Sequence, residues 1–313
     1  MMNGKIESLD IDEKIDSTIL RYVGNTPLMK VNTPQDISDK VEIYAKLEYF
    51  NPGGSVKDRP ILRMIREAIK TGELTHDKAI LDSTSGNAGI AYSMIGAALG
   101  YKVELVIPGN ASEERKRSIR AYGANIIITD PIKGYDEAIR KAHELLEENP
   151  EKYYMPDQYA NKHNPIAHYD TTGKEILEQT EGKITHFICG VGTGGTVMGV
   201  GKRLKEHNPD IKIYVIKPED FPGIEGLKPM GSEYIKPKIY SEEFIENHRI
   251  YITSEDAKEM CNILAREMGL FVGQSSGAFM KGALDLAREI NEGVIVTIFP
   301  DTGNRYFSTQ LWD

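Results

Sequence analysis

Seven short apolar runs alternate with longer segments whose apolar residues recur at helical spacing, and this alternation restricts the fold of the chain more than any other feature. The runs are VEIYAKLE (41–48), AILDSTS (79–85), KVELVIP (102–108), NIIITD (125–130), HFICGVG (186–192), KIYVIKP (212–218) and GVIVTIFPD (293–301). Each is short, bounded by turn residues and rich in β-branched side chains, as strands are. Between them, ILRMIREAIK, AYSMIGAALG, YDEAIRKAHELL, MCNILAREM and GALDLAREI carry the helical period. Strand and helix in alternation predict an α/β fold of open, twisted, mostly parallel sheets flanked by helices. Glycines gather at the carboxyl ends of the strands, where such sheets bind ligands. A length of 313 residues predicts two domains, at about 150 residues each. No Pro/Ser linker separates them. The polar stretch DQYANKHNP, after a helix ending near residue 150, is read as the path from one domain back to the other.

Composition narrows the function. A formal charge of −9 and a pI near 5.4 give no basic field to hold a nucleic acid. The N-terminal stretch MMNGKIESLDIDEKID is acidic and lacks the apolar core of a signal peptide, and no run approaches a membrane span. A soluble, cytoplasmic protein without membrane or nucleic-acid partners is expected. Cys189 and Cys261 are too few for a disulfide framework or a cysteine metal cage, so buried reduced thiols and no metal are expected.

Four stretches can carry chemistry. NPGGSVKDRP (51–60) brings Lys57 to a helix start behind two glycines, with Ser55 as a cap and Pro60 delaying the helix by a few residues. Desolvation and the positive helix end both disfavour an ammonium, which makes the Lys57 amine available as a nucleophile. STSGNAG (83–89) offers Thr84, Ser85, Gly86 and Asn87 as a seat for a carboxylate, or equally as an ordinary capped turn. GVGTGGTVMG (190–199) cups a phosphate with Gly192, Thr193, Gly194, Gly195 and Thr196. The same loop satisfies GxGxxG through Gly190, Gly192 and Gly195, with Glu219 near the position of a ribose-binding acid, so an NAD-binding oxidoreductase competes. FPDTGNRYFST (299–309) projects Asp301 or Thr302 from the end of the last buried strand.

A lysine nucleophile, a carboxylate seat and a phosphate cup together make up a pyridoxal phosphate site. The chain resembles the cysteine synthase and cystathionine β-synthase family of fold-type II pyridoxal phosphate enzymes. The resemblance runs through GNTPLMKV (24–31), NPGGSVKDR, TSGNAG, DQYANKHNPIAHYDTTGKEI (157–176), GVGTGGT, GLFVGQSSGA (269–278) and PDTGNRYFST (300–309).

By that resemblance, Lys57 is the Schiff-base lysine and later the acid/base for the substrate α-proton. Asn87 bonds the cofactor's ring oxygen, and Thr84, Ser85, Gly86, Asn87 and Gln158 hold the substrate carboxylate. The loop from Gly192 to Thr196 binds the phosphate, and Thr302 faces the pyridine nitrogen with Asp301 as rival and structural neighbour. A neutral hydroxyl there makes a weaker electron sink than a carboxylate, which suits β-elimination. The implied reaction replaces the β-substituent of O-acetylserine or O-phosphoserine with a sulfur nucleophile to give L-cysteine. Condensation of serine with homocysteine is the alternative, less favoured because no added haem or regulatory region is seen. No histidine is required, and packing or surface roles are expected for His163 and His168. The resemblance further implies a homodimer, a possible serine acetyltransferase partner, a large domain of residues 1–50 and 160–313, and a smaller mobile domain of 51–159 with Lys57 and the carboxylate loop. Two departures stand out: Ala88 replaces a threonine, and PGIEGLKPMGSEYIKPKIY (222–240) differs from the usual loop, with Lys228 either a leaving-group phosphate contact or a solvated lysine.

Overall fold

The computed structural model describes residues 10–231, 234–245, 248–309 and 311–312. Residues 1–9 of the acidic N-terminal stretch and residues 232 and 233 of the 222–240 segment lie outside the described residues. One sheet is built from β1 (Leu28–Val31), β2 (Val41–Leu47), β7 (His186–Gly190), β8 (Lys212–Pro218), β9 (Arg249–Ile252) and β10 (Gly293–Phe299), in the order β1-β2-β10-β7-β8-β9. The other holds β3 (Ala79–Ser83), β4 (Val103–Pro108), β5 (Asn125–Thr129) and β6 (Tyr153–Tyr154), in the order β5-β4-β3-β6. Among the described residues, only the edge pair β1–β2 is antiparallel. The helices are α1 (Ile11–Asp16), α2 (Asp58–Thr71), α3 (Asn87–Leu99), α4 (Glu113–Ala121), α5 (Gly134–Glu148), α6 (His163–Asp170), α7 (Thr172–Gln179), α8 (Gly195–His207), α9 (Ser254–Met268) and α10 (Gln274–Glu289).

The seven expected strands form within two residues of their predicted bounds. AILDS is buried at every position, as a parallel strand covered on both faces must be. α2 buries Ile61, Met64, Ile65 and Ala68 at spacings of three and four and ends at Gly72, whose φ of +76° closes the last turn. Each fully buried Ile or Met adds about 1.5–3 kcal/mol of hydrophobic stabilisation. Pro60 does not delay this helix. It is the third residue of α2, in the first turn, where its missing N–H would have had no intrahelical partner.

Ile11 and Leu20 pack with Ile61, Ile80 and Leu105 in the core on the smaller sheet, whereas β2, β7, β8 and β10 centre the other core. Among the described residues, no helix is long and apolar enough to cross a membrane. The carboxyl ends of β2, β7 and β10, adjacent in the larger sheet, open on the same side, and the segments leaving them carry the site.

Candidate active site

Lys57 immediately precedes α2, at its N-cap position. Ser55 does not cap α2 in the expected way. Its hydroxyl accepts from the Lys57 amide at 3.3 Å, and its backbone bridges to Asp301, while the Val56 amide donates to the Pro300 carbonyl at 2.9 Å. The turn therefore hangs on the end of β10. Its tightness requires glycine: the Gly53 amide donates to Asp58 Oδ2 at 2.5 Å, and a Cβ at Gly53 would lie 2.5 Å from Asp58 Oδ1. Burial pushes Asp58 up to about 7, against the Gly53 hydrogen bond and Arg305. Part of Lys57 opens onto the pocket, yet desolvation lowers its amine below the ordinary lysine value, with Asp301 and Cys189 pulling the other way. Two positions after Lys57, Arg59 is buried and donates to Glu48 at 2.7 Å and to Glu175 at 2.6 Å, anchoring the start of α2 to the turn that follows β2 and to α7.

The glycine loop follows β7. Gly194 caps α8 at φ +89°, and Gly195 opens the helix. A Cβ on Gly192, Gly194 or Gly195 would lie 2.8 Å from the Gly226 carbonyl, 2.8 Å from Tyr240 Cβ or 1.8 Å from Asn164 Oδ1. Glycine is needed here so that the chain can pass these neighbours at the start of a helix, where first-turn amides without intrahelical partners can seat an anion. Asn164 Nδ2 donates to Thr193 Oγ1 at 3.0 Å and to the Gln158 carbonyl at 2.7 Å. Thr196 Oγ1 lies 3.3 Å from His168 Nε2, whose Nδ1 meets Thr172 Oγ1 at 3.0 Å. His168 is thus a buried support behind the loop. Burial, then Arg59 and Lys57, push its pKa well below the ordinary histidine value, so the imidazole stays neutral.

A pocket is lined by Lys57, Asn87, Gly192, Thr193, Gly194 and Thr196, with Ala88, Cys189 and Ser275 beside them. Other sequence candidates lie outside its lining. Thr84 Oγ1 accepts from the Gly86 and Gly89 amides, both at 2.9 Å, and so builds the turn into α3. Ser85 is exposed, and Gln158 is buried and donates to the Ser83 carbonyl at 3.1 Å. Asn87 Nδ2 donates to Asp301 Oδ2 at 2.6 Å, and Asn87 Oδ1 accepts from Arg305 at 2.6 Å; this fixes the amide plane and leaves a second N–H.

Thr302, expected from the sequence to face the ring nitrogen, stands apart from the pocket. Its hydroxyl donates to Asn304, its backbone bridges to Val272, and it does not line the pocket. Asp301 does not line it either: buried, it accepts from Asn87 and from Tyr306 at 2.6 Å. Beyond Thr193 and Thr196 of the glycine loop, Ser275, in the first turn of α10, brings a hydroxyl residue to the lining. It stood in the quoted stretch GLFVGQSSGA, where a serine at a helix start passes for a cap.

Comparison with known proteins agrees with this geometry. The family model for pyridoxal-phosphate dependent enzymes matches residues 19–301. The chain belongs to that family. A cysteine synthase of Aquifex aeolicus is 51% identical over 306 residues, covering 96% of this chain and 93% of the relative. The solved cysteine synthase of Entamoeba histolytica superposes with a TM-score of 0.88 at 38% identity, covering 95% of this chain and 90% of that one. An O-acetylserine dependent cystathionine β-synthase of Helicobacter pylori gives a TM-score of 0.84 at 36% identity, covering 95% and 99%. The two-sheet architecture is that of fold-type II members of the family.

The residues fit the family's cofactor, because one pocket holds both an amine with a lowered pKa and a glycine loop whose neighbours leave no room for a Cβ. The competing dinucleotide reading fails at Glu219, whose carboxylate accepts from the Ser254 amide at 2.7 Å and so serves the start of α9. Lys228 is not a solvated lysine. It is buried, pairs with Asp136 at 2.7 Å, and has the rings of Tyr135, Tyr159 and Tyr234 around it. Cys189 and Cys261 are free and buried, and burial raises both thiols, Cys261 to about 12.

Proposed function

We propose that this enzyme is a cysteine synthase, replacing the β-substituent of an activated serine with a sulfur nucleophile to release L-cysteine. The observation that carries this reading is Lys57 sharing one pocket with the Gly192–Thr196 cradle, in a chain that is half identical to a cysteine synthase. When bound, pyridoxal phosphate supplies a carbonyl for the substrate amine and an electron sink at the α-carbon. The amides and hydroxyls of Gly192, Thr193, Gly194, Gly195 and Thr196 would hold its phosphate. Asn87, oriented by Asp301 and Arg305, would offer its remaining N–H to the cofactor's ring oxygen, and the neutral Ser275 hydroxyl would serve the ring nitrogen. The Thr84–Asn87 loop, backed by Gln158, receives the substrate carboxylate. Lys57 Nζ takes the α-proton; its lowered pKa keeps a larger fraction of the amine neutral and able to do so.

The same reading divides the chain into a larger domain of residues 1–50 and 160–313 and a smaller domain of residues 51–159, with Ile11 and Leu20 of the former packed in the core of the latter. A cytoplasmic homodimer fits it, and the exposed Ile19, Tyr22 and Phe50 supply an apolar face on segments joined by the Gly24 to Asn51 hydrogen bond. Serine acetyltransferase is a candidate partner. The test is product formation by the purified holoenzyme from O-acetylserine and sulfide, run beside O-phosphoserine and serine. Cysteine from an activated serine supports the proposal. Cystathionine from homocysteine in its place would move the enzyme to the reaction named for the Helicobacter pylori relative, and no β-replacement product from any donor would overturn it.

A further inference from the structure

We infer that Arg115 is a positioning residue that ties the substrate-carboxylate loop to the segment beside the cofactor pocket, so that the Arg115–Glu225 pair sets how tightly the substrate carboxylate is held. The inference rests on the proposed role of the Thr84–Asn87 loop. Arg115 projects from α4, and its side chain is only 3% exposed. Its Nη1 donates to the Ser85 carbonyl at 3.2 Å and to Glu225 Oε2 at 3.0 Å. The stem lies against the loop: a Cβ on Gly86, at φ +155°, would fall 1.9 Å from Arg115 Cδ. Gly86 therefore leaves the room that the arginine fills.

Two chains of contacts run from this guanidinium to the pocket. The Glu225 amide donates to Gln274 Oε1 at 2.9 Å, next to Ser275, while Gly226 and Leu227 line the pocket itself. On the other side the guanidinium stacks 4.5 Å from the centre of the Tyr306 ring, and the Tyr306 hydroxyl reaches Asp301, which holds Asn87. Glu225 is 41% exposed, so the ion pair adds little to stability. Its effect is on geometry: a planar fork touching a carbonyl, a carboxylate and a ring fixes the loop where a flexible ammonium would not.

The experiment titrates holoenzymes with L-alanine, which has no leaving group, and with L-alaninamide, which has no carboxylate. Binding is followed by the visible absorption of the bound cofactor, and folding by the urea midpoint. Arg115→Gln and Glu225→Gln are each expected to weaken L-alanine about tenfold while L-alaninamide stays within about twofold. Arg115→Lys is expected to recover only part of the loss, and the double Gln variant to be no weaker than Arg115→Gln alone, the mark of one coupled pair. Equal losses for both ligands, additive losses in the double variant, or unchanged L-alanine binding would overturn the inference. If Arg115→Gln does not fold, Glu225→Gln, altered at a partly exposed site, decides. Failure of the wild type to make cysteine, with carboxylate-dependent binding intact, would count against the proposed reaction and not against Arg115.

Discussion

A lysine that exchanges protons near neutral pH must be kept from water without being given a strong counter-charge, and Lys57 meets both conditions. Desolvation lowers its pKa, and the acid that faces it, Asp301, spends its Oδ2 on Asn87 and Tyr306. Lys57→Ala is expected to reduce cysteine formation by about 10³-fold or more, with the urea midpoint close to wild type, as measured on cofactor-reconstituted protein. A variant with wild-type turnover would remove Lys57 from the chemistry. The hydroxyl assignment is equally open to measurement. Ser275→Ala should lower turnover about tenfold more than Thr302→Ala, roughly the loss of one useful hydrogen bond; the reverse order would restore the sequence-based assignment. Lys57 was legible because glycines, a helix start and an amine make an unusual combination. Ser275 and Arg115 were not, because a serine opening a helix and an arginine in EERKR have the ordinary form of a cap and a solvated face.

At the scale of elements, what matters is which strand ends meet. β2, β10 and β7 are adjacent in the sheet but far apart in sequence, and their order delivers Lys57, Pro300 and the glycine loop to one place. Periodicity revealed the long buried strands, since β-branched runs covered on both faces have few other homes. It missed β1 and β9, four-residue edge strands, and β6, which has two residues, because each is too short to establish a period. The glycine loop stood out in the sequence as a candidate anion seat, but its tightness comes from Asn164 and Tyr240, which only the tertiary structure brings to it. Gly195→Ala is expected to weaken cofactor binding at least about tenfold, because Asn164 Oδ1 occupies the space of the new methyl group. Equilibrium dialysis against pyridoxal phosphate measures this, and unchanged affinity would show that Asn164 can move aside.

For the whole molecule, the lysine-bearing turn is coupled to the larger sheet by buried charge. Arg59 bridges Glu48 and Glu175, and Lys46 adds a second contact to Glu175 at 2.7 Å. Sequence alone could not expose this cluster, whose members stand up to 129 positions apart between Lys46 and Glu175. Burial works against the Glu175 charge, but the hydrogen bonds and charges of Arg59 and Lys46 outweigh it and bring its pKa from 4.5 to about 2. A carboxylate with a depressed folded-state pKa contributes stability that is fully present above its ordinary value and is lost as pH falls through the folded value. Burial pushes Lys46 the other way, below the ordinary lysine value, which offsets part of that gain. Glu175→Gln leaves Arg59 and Lys46 short of a buried partner and should cost about 3 kcal/mol near neutral pH, the usual penalty for breaking a buried pair from one side. Urea unfolding of wild type and variant across pH 6 to 3 tests the assignment: the two stability curves should approach each other as pH falls below about 4.5, where the wild-type contribution begins to be lost. A gap that stays constant over that range would mean that the Glu175 charge does not hold the turn in place.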